Sequence, residues 1–275
     1  MSSSLLRHML AAFLGIALTA AFFAGCDAKS NVKTGGSKKT ETAAADKAAT
    51  PESEREKGIA ALRKKDYRTA VGHFSTAAEQ GDAMAQNMLA LCYETGQGVE
   101  QDSVQAAEWY RKAADQGDAS AQLNLGACYF DGHGVELNQA EAVKWYRKAA
   151  DQDLVEAQLI LGRCYENGTG VRKNASEAVK WYRKAADRGD ATAQMYLGAC
   201  YLYGTVVKKD EKQAVQWYRK AADQGDAMAQ TVLGNFYYNG TGVKKNTSEA
   251  VKWYRKAAAQ GNELAIEALK NLGVK

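Results

Sequence analysis

Four cysteine thiols, among the most reactive side chains in this sequence, recur at equal intervals. Cys92, Cys128, Cys164 and Cys200 stand 36 residues apart, and Phe236 takes the fifth place of the series. Equivalent positions on packed helices lie about 8–10 Å apart, whereas a disulfide needs Cα atoms within roughly 7 Å. A phenylalanine in the series also indicates an apolar slot. The spacing therefore predicts buried, free thiols, and no Cys or His partner stands at the spacing of metal ligands.

Other candidates for catalysis are few. The histidines His8, His73 and His133 are too scattered along the sequence for a triad. Residues 30–33 match the S-x-x-K motif of penicillin-recognising enzymes, and residues 33–35 match their K-T-G motif. One lysine cannot fill both roles, so we interpret the match as chance. We expect no catalytic residue, no metal and no cofactor, and we predict that the protein is not an enzyme.

The elements that would position these residues are encoded by a long repeat. Five tryptophans stand 36 residues apart, and each is followed by Tyr-Arg-Lys-Ala-Ala: Trp109, Trp145, Trp181, Trp217 and Trp253. A fixed period of this length is typical of a solenoid of stacked units. The units are predicted at 82–117, 118–153, 154–189, 190–225 and 226–261. Residues 54–81 form a degenerate first unit, and residues 262–275 form a helix that closes the stack.

Each unit is predicted to hold two helices. The first starts at a capping aspartate such as Asp118 and ends at a glycine such as Gly132. The second starts at an Asx residue such as Asn138, with Glu or Gln three residues later, which is similar to a capping box. Glycine pairs such as Gly168-Thr169-Gly170 follow a helix and precede valine, so they indicate turns and not phosphate-binding loops.

Two places depart from the repeat. Asp153 and Leu154 replace the glycine and the capping aspartate before the third unit, and Val206 replaces the second glycine of the turn in the fourth unit. Glycine is favoured where the backbone needs a positive φ. We therefore expect locally irregular structure at both places.

The N-terminal residues are typical of export. Residues 1–25 combine a positive start with an apolar run and a small-residue cleavage site, as in a signal peptide. Phe23-Ala24-Gly25-Cys26 resembles a bacterial lipobox, which implies lipidation of Cys26. A plain signal peptide cut nearby, or an uncleaved anchor, remains an alternative. Residues 26–52 are too polar to fold and are predicted to be a disordered tether. Asp27 resembles an inner-membrane retention signal, and the outer membrane is the alternative.

The repeat as a whole resembles a known family. The pattern AQxxLGxxYxxGxGVxxNxxEAVKWYRKAAxxG is similar to the Sel-one-like repeat (SLR), a relative of the tetratricopeptide repeat, over residues 53–275. This resemblance implies an all-α, right-handed α-solenoid of antiparallel helix pairs. It also implies a concave groove that holds an unknown partner protein or peptide.

Some positions of the first helix vary between units. Counted with the capping residue as the first, they are the third, seventh, tenth and fourteenth residues, which share one stripe beside the core. The predicted partner-binding residues, called the stripe below, are Met84, Met88, Leu91, Asn124, Asp131, Glu156, Ile160, Arg163, Asn167, Thr192, Tyr196, Tyr203, Met228, Val232, Asn235 and Asn239.

Alternatives remain for several features. The Trp-Tyr pairs form either a packing layer between helices or a ligand cage. The Arg-Lys pairs line either a solvated face or a surface for anionic lipid. A net charge of +4 does not favour nucleic acid. The sequence thus predicts a lipid-anchored interaction scaffold in the bacterial cell envelope, facing the periplasm, and an envelope enzyme or small-ligand receptor of the β-lactam-binding type is the alternative.

Overall fold

The computed structural model describes residues 50–274, and in this part of the chain every regular element is an α-helix. We number the helices α1 to α13 in chain order. Their bounds are Pro51–Arg63, Tyr67–Glu79, Ala83–Thr95, Ser103–Asp115, Ala119–Asp131, Gln139–Asp151, Val155–Asn167, Ala175–Asp187, Ala191–Tyr203, Glu211–Asp223, Ala227–Asn239, Thr247–Ala258 and Glu263–Asn271.

The most extensive helix packing among residues 50–274 follows the chain order. Each odd-numbered helix packs against the even-numbered helix that follows it, and each even-numbered helix packs against the next odd-numbered one. We call α3, α5, α7, α9 and α11 the first helices and α4, α6, α8, α10 and α12 the second helices. The predicted all-α solenoid of helix pairs with a 36-residue period is confirmed. The predicted signal peptide, lipidated Cys26 and most of the tether lie outside the described residues.

Capping residues fix the helix ends. Asp118 accepts a hydrogen bond from the backbone N–H of Ala121 (2.7 Å), and Asn138 does the same for Glu141 (3.0 Å). α5 ends at Gly132, whose φ of 74° is left-handed, and the N–H of Gly132 donates to the Cys128 carbonyl. These contacts satisfy backbone groups that a helix end leaves without partners.

The two expected irregularities do not occur. Asp153 and Val206 adopt φ values of 67° and 71°, the left-handed conformation of the glycines they replace. Leu154 keeps an extended N-cap geometry, although α7 begins without a side-chain capping bond. The prediction was therefore wrong for the backbone, whereas the side-chain bonding at the junction before the third unit does depart from the repeat.

The core lies between the two helices of each pair. A leucine of each first helix is buried, and the central example, Leu161, is fully inaccessible. The Tyr182 ring lies directly on the backbone of α7 at Gly162. A Cβ at this position would be 2.6 Å from the ring, so only glycine fits there. Trp181 is 2% exposed, and its counterparts are buried in every second helix except α4, where Trp109 is half-buried. The tryptophans therefore form the packing layer, as predicted.

Buried glutamines bond both within a unit and to the unit before it. Gln122 donates to the Ala114 carbonyl (3.1 Å), and its own carbonyl oxygen accepts from Gln152 (2.8 Å). This pattern recurs except in the third unit, where Arg188 replaces the donor and pairs with Asp153 at 2.5 Å. The side-chain oxygen of Gln158 is consequently buried without a hydrogen-bond partner among the described residues.

Candidate interaction surface

The stripe lies on the accessible side of the first helices. None of its sixteen residues is buried; each is exposed or half-buried, while the leucines beside them are covered. Tyr203 is 75% exposed, and Met228 and Met84 are 49% and 44% exposed. The spacing of positions therefore identified residues outside the buried core, although Met88, Ile160 and Val232 are half-buried and pack against core residues.

One stripe tyrosine is also part of the packing. Tyr196 stacks on Tyr182 with ring centroids 4.5 Å apart and an interplanar angle of 6°. The Tyr182 hydroxyl in turn donates to Glu166 at 2.6 Å. Burial raises the pKa of the Tyr196 phenol. Tyr196 therefore supports the fold as well as the surface, whereas Tyr203 is free for contact.

Asparagines of the stripe bond to their neighbours. The Asn124 amide donates to Asn87 at 3.1 Å and so joins adjacent first helices, α5 and α3. Asn235 accepts a hydrogen bond from the Tyr254 hydroxyl at 2.6 Å. These contacts hold part of the surface rigid before any partner arrives.

The predicted stripe omits surface residues at the thirteenth position of the first helix, counted with the capping residue as the first. Glu94 and Glu166 occupy it in α3 and α7, and they accept hydrogen bonds from the buried hydroxyls of Tyr110 and Tyr182, each at 2.6 Å. The signal for them was variation between units, since Phe130 stands at the same position of α5. The position falls beside the stripe and not on it, which is why spacing alone passed it over.

The arginines of the second helices are engaged in packing. Arg183 donates to the hydroxyl of Tyr201, a residue of the following first helix, at 2.7 Å, and its counterparts in α4, α6 and α10 make the equivalent bond. The Lys184 ammonium lies 4.2 Å from the centroid of the Trp181 ring. These four arginines are thus half-buried links between units, which neither alternative from the sequence describes, whereas Arg255 of α12 is exposed.

The cysteine thiols are free. Cys92, Cys128 and Cys164 are buried and Cys200 is half-buried. Burial raises the pKa of Cys128 to about 12 and that of Cys92 and Cys164 to about 11. Such thiols are protonated and poorly nucleophilic.

Neither a metal-ligand cluster nor a membrane-spanning helix occurs within residues 50–274. Within this range no group of three or more His, Cys, Asp or Glu side chains is arranged to hold a metal ion. The helices of the same range include none with the length and apolar character needed to cross a membrane.

The family comparison matches almost all of this helical region. The model described as "Sel1 repeat" matches residues 55–82, 83–118, 119–154, 155–190, 191–226 and 227–262. Each match begins one residue after the boundary predicted from the tryptophan spacing, and the degenerate first unit is matched as a repeat of its own.

Two solved structures are similar to the chain over most of its length. One is c5321, a protective antigen present in uropathogenic Escherichia coli strains that displays an SLR fold: the TM-score is 0.76 at 38% identity, over 79% of this chain and 47% of that chain. The other is a Sel1 repeat protein from Oxalobacter formigenes, with a TM-score of 0.70 at 41% identity, over 78% of this chain and 86% of that one.

This chain thus spans about half the length of c5321. The comparison with curated proteins gives no match. Repeat pattern, helix pairing and structural similarity agree, and the chain belongs to the Sel1 repeat family.

Proposed function

We propose that this protein is an interaction scaffold tethered to a membrane of the bacterial cell envelope, and that it binds a partner protein through the stripe. The observation that carries the proposal is the contrast within the first helices. Core positions such as Leu161 repeat from unit to unit and are buried, while the stripe positions differ from unit to unit and are accessible. A fixed frame with a variable accessible surface is how repeat proteins obtain specific binding.

The family supports the class of function. Sel1 repeat proteins are generally scaffolds for protein–protein interaction, and their fold is mainly used without catalysis. Tyr203 and the methionines of the stripe suit this role, because aromatic and flexible apolar side chains carry much of the energy of protein interfaces.

The N-terminal sequence supports the tether. Ala24-Gly25-Cys26 ends an apolar run, so a lipid on Cys26 would hold the solenoid at the membrane through residues 27–52. More than one acyl chain is needed for stable anchoring, and acylation of the new amine would supply it. Asp27 favours the inner membrane, with the outer membrane as the alternative, and the solenoid would face the periplasm.

Cross-linking in intact cells tests the proposal. We expect Y203S to reduce the yield of the cross-linked partner about tenfold, because an interface anchor typically contributes 2 kcal/mol or more. Lys144 and Lys180 are exposed side chains of the second helices, so K144Q/K180Q is a control on another face. Circular dichroism must show the same helix content in all variants.

The result can also contradict the proposal. If K144Q/K180Q abolishes cross-linking while Y203S leaves it unchanged, the partner binds the second helices and the stripe is not the interface. If the natural protein and both folded variants give no cross-linked protein partner, the scaffold function itself is wrong.

A further inference from the structure

Charge is distributed unevenly between the first helices. α3, α5 and α7 carry four carboxylates, Glu94, Asp131, Glu156 and Glu166, and a single cation, Arg163. α9 and α11 carry no charged residue at all. The second helices, in contrast, carry both signs of charge in every unit. One half of the first-helix surface is therefore acidic and the other half is neutral.

The four carboxylates have no cationic partner among residues 50–274. None of them belongs to an ion pair there, although the same range holds pairs on α1 and on every second helix except α4. Glu94 and Glu166 accept only the tyrosine hydroxyls described above. Partial burial raises the pKa of the Glu156 carboxyl. A half-desolvated carboxylate gains more from an added cation than a fully solvated one does.

Asp131 of α5 and Glu156 of α7 belong to consecutive first helices. The phenol of Tyr146 lies within the field of both: burial is the main cause that raises its pKa, and the two carboxylates raise it further. Arg163 lies one turn from Glu166 and two turns from Glu156 on α7, and it makes no ion pair with either. The excess negative charge of this half is therefore uncompensated.

The half formed by α9 and α11 is aromatic and apolar, and the one cation recorded against its rings is the Lys245 ammonium, 5.5 Å from the centroid of the Tyr238 ring. Tyr203 and Met228 are 75% and 49% exposed, and Tyr238 is 40% exposed. Val206, in the turn that follows α9, adds a further side chain at 47% exposure. Exposed apolar side chains that cluster in one region mark interaction sites more often than scattered ones do.

We propose that the partner presents a bipartite segment, with Lys or Arg side chains at one end and apolar or aromatic side chains at the other. The cationic end lies against the carboxylates of α3, α5 and α7, and the apolar end lies on α9 and α11. This inference rests on the proposed function and names the chemistry of its partner. First helices of adjacent units are about 10 Å apart, so five of them correspond to about 12 residues of extended chain.

Fluorescence anisotropy with designed peptides tests this assignment on the full-length chain. The first probe is a labelled 12-residue peptide with four lysines in one half and two tryptophans and two leucines in the other. The second replaces each lysine by glutamate, and the third replaces the tryptophans and leucines by serine. We expect the first peptide to bind at least about tenfold more tightly than either of the others.

Matched variants identify the surface that the first peptide occupies. D131N/E156Q and Y203S/M228S should each weaken binding about tenfold, the first more strongly at low than at high salt. D115N/D187N is the control, because it removes the same two charges from exposed residues at the ends of α4 and α8. It should change binding less than about twofold, with helix content unchanged in all three.

Three outcomes overturn the inference: the glutamate peptide binds as well as the lysine peptide, D115N/D187N weakens binding as much as D131N/E156Q, or no peptide binds. If cellular cross-linking still depends on Tyr203 in those cases, the scaffold function stands and only the partner chemistry is wrong. If cellular cross-linking also does not depend on Tyr203, the proposed function is wrong as well.

Discussion

Trp181 lies at the centre of the solenoid, with units packed on both sides. Its ring is 2% exposed and is covered by the Lys184 ammonium. Removing a large buried aromatic side chain typically costs about 3–5 kcal/mol. We therefore expect Trp181→Ala to lower the free energy of unfolding by about that amount in guanidinium titrations followed by circular dichroism. Trp109→Ala should cost less, because that ring is half-buried. A loss below about 1 kcal/mol at Trp181 would contradict the role of the packing layer.

Val206 carries strain that its counterparts avoid. Its φ is 71°, which a β-branched residue rarely adopts. We expect Val206→Gly to raise the free energy of unfolding by about 1 kcal/mol. Gly170→Val is the opposite change at the equivalent turn, where a Cβ would overlap the Gln139 carbonyl oxygen. Gly170→Val should lower the free energy of unfolding. If both substitutions change the free energy of unfolding in the same direction and by the same amount, the backbone conformation at this position is unimportant.

The buried thiols make stability depend on alkaline pH. The pKa of Cys92 and Cys164 is about 11 in the folded chain, against roughly 8.5 in an unfolded one. Because the folded pKa is raised, this stability is fully present below pH 8.5 and is lost as the pH rises towards 11. We expect urea unfolding at pH 10 to give a free energy at least about 1 kcal/mol below that at pH 8.

A variant without the four solenoid cysteines separates the effect of the thiols from that of the tyrosines, whose pKa values are also raised by burial. A variant with Cys92, Cys128, Cys164 and Cys200 changed to alanine should lose less stability between the two pH values. An identical loss in both proteins would assign the effect to the tyrosines.

At this scale the sequence predicted burial better than bonding. The fifth-place phenylalanine correctly indicated an apolar cysteine slot, and Phe236 is indeed buried. The bond from Arg183 to Tyr201 was not predictable from spacing. Helical periodicity identifies the side of a helix from which a side chain leaves, but it does not identify which side chain of the next unit meets it.

Among the helices, α7 and α8 form the pair that departs most from the repeat. The ion pair of Arg188 with Asp153 replaces a glutamine hydrogen bond, and the Gln158 oxygen is left buried without a partner. Leaving a buried acceptor unsatisfied typically costs about 1–3 kcal/mol. We therefore expect D153G/R188Q, which restores the glycine and the glutamine donor together, to raise the free energy of unfolding by about 1–2 kcal/mol.

The single changes provide the control for this prediction. Arg188→Gln alone supplies the missing donor but leaves Asp153 without its ion pair, so it should give part of the gain. Asp153→Gly alone removes the strain of a side chain at positive φ but leaves Arg188 without its ion pair. If the double variant is less stable than the natural protein, the ion pair contributes more than the glutamine bond it replaced.

The helix boundaries were largely predictable because local chemistry determines them. An Asx residue at the start and a glycine at the end satisfy backbone groups within a few residues, so the sequence signal is local. The regular geometry at Asp153 and Val206 was not predictable in this way. The conformation at these two residues depends on contacts with the units before and after them, and the conformational propensity of a single residue does not include those contacts.

For the whole molecule, the proposed anchor gives a direct mass test. We expect the membrane-bound protein to exceed the mass of residues 26–275 by its acyl groups. Cys26→Ser should abolish this added mass without altering the helix content of the protein. Natural protein with an unmodified Cys26 in the soluble fraction would contradict lipidation.

The surface chemistry of the whole molecule was only partly predictable. The stripe was predicted by comparing the units with one another, and its residues are exposed or half-buried in the structure. The division into an acidic and an aromatic half required knowing that α3, α5 and α7 present their carboxylates without cationic partners. That fact depends on where the side chains of the second helices point, and those side chains are bonded elsewhere.

The Arg188–Asp153 pair has a mechanical consequence. Its side chains are 47% and 53% exposed, so dissolved ions weaken it far more than they weaken the buried amide bonds of the other units. Because each unit touches only its neighbours, elastic deformation concentrates at the least tightly joined layer. The solenoid is thus expected to flex about its third unit, as two stiff arms whose joint loosens with ionic strength. A ligand that bridges the acidic and aromatic halves would clamp that joint.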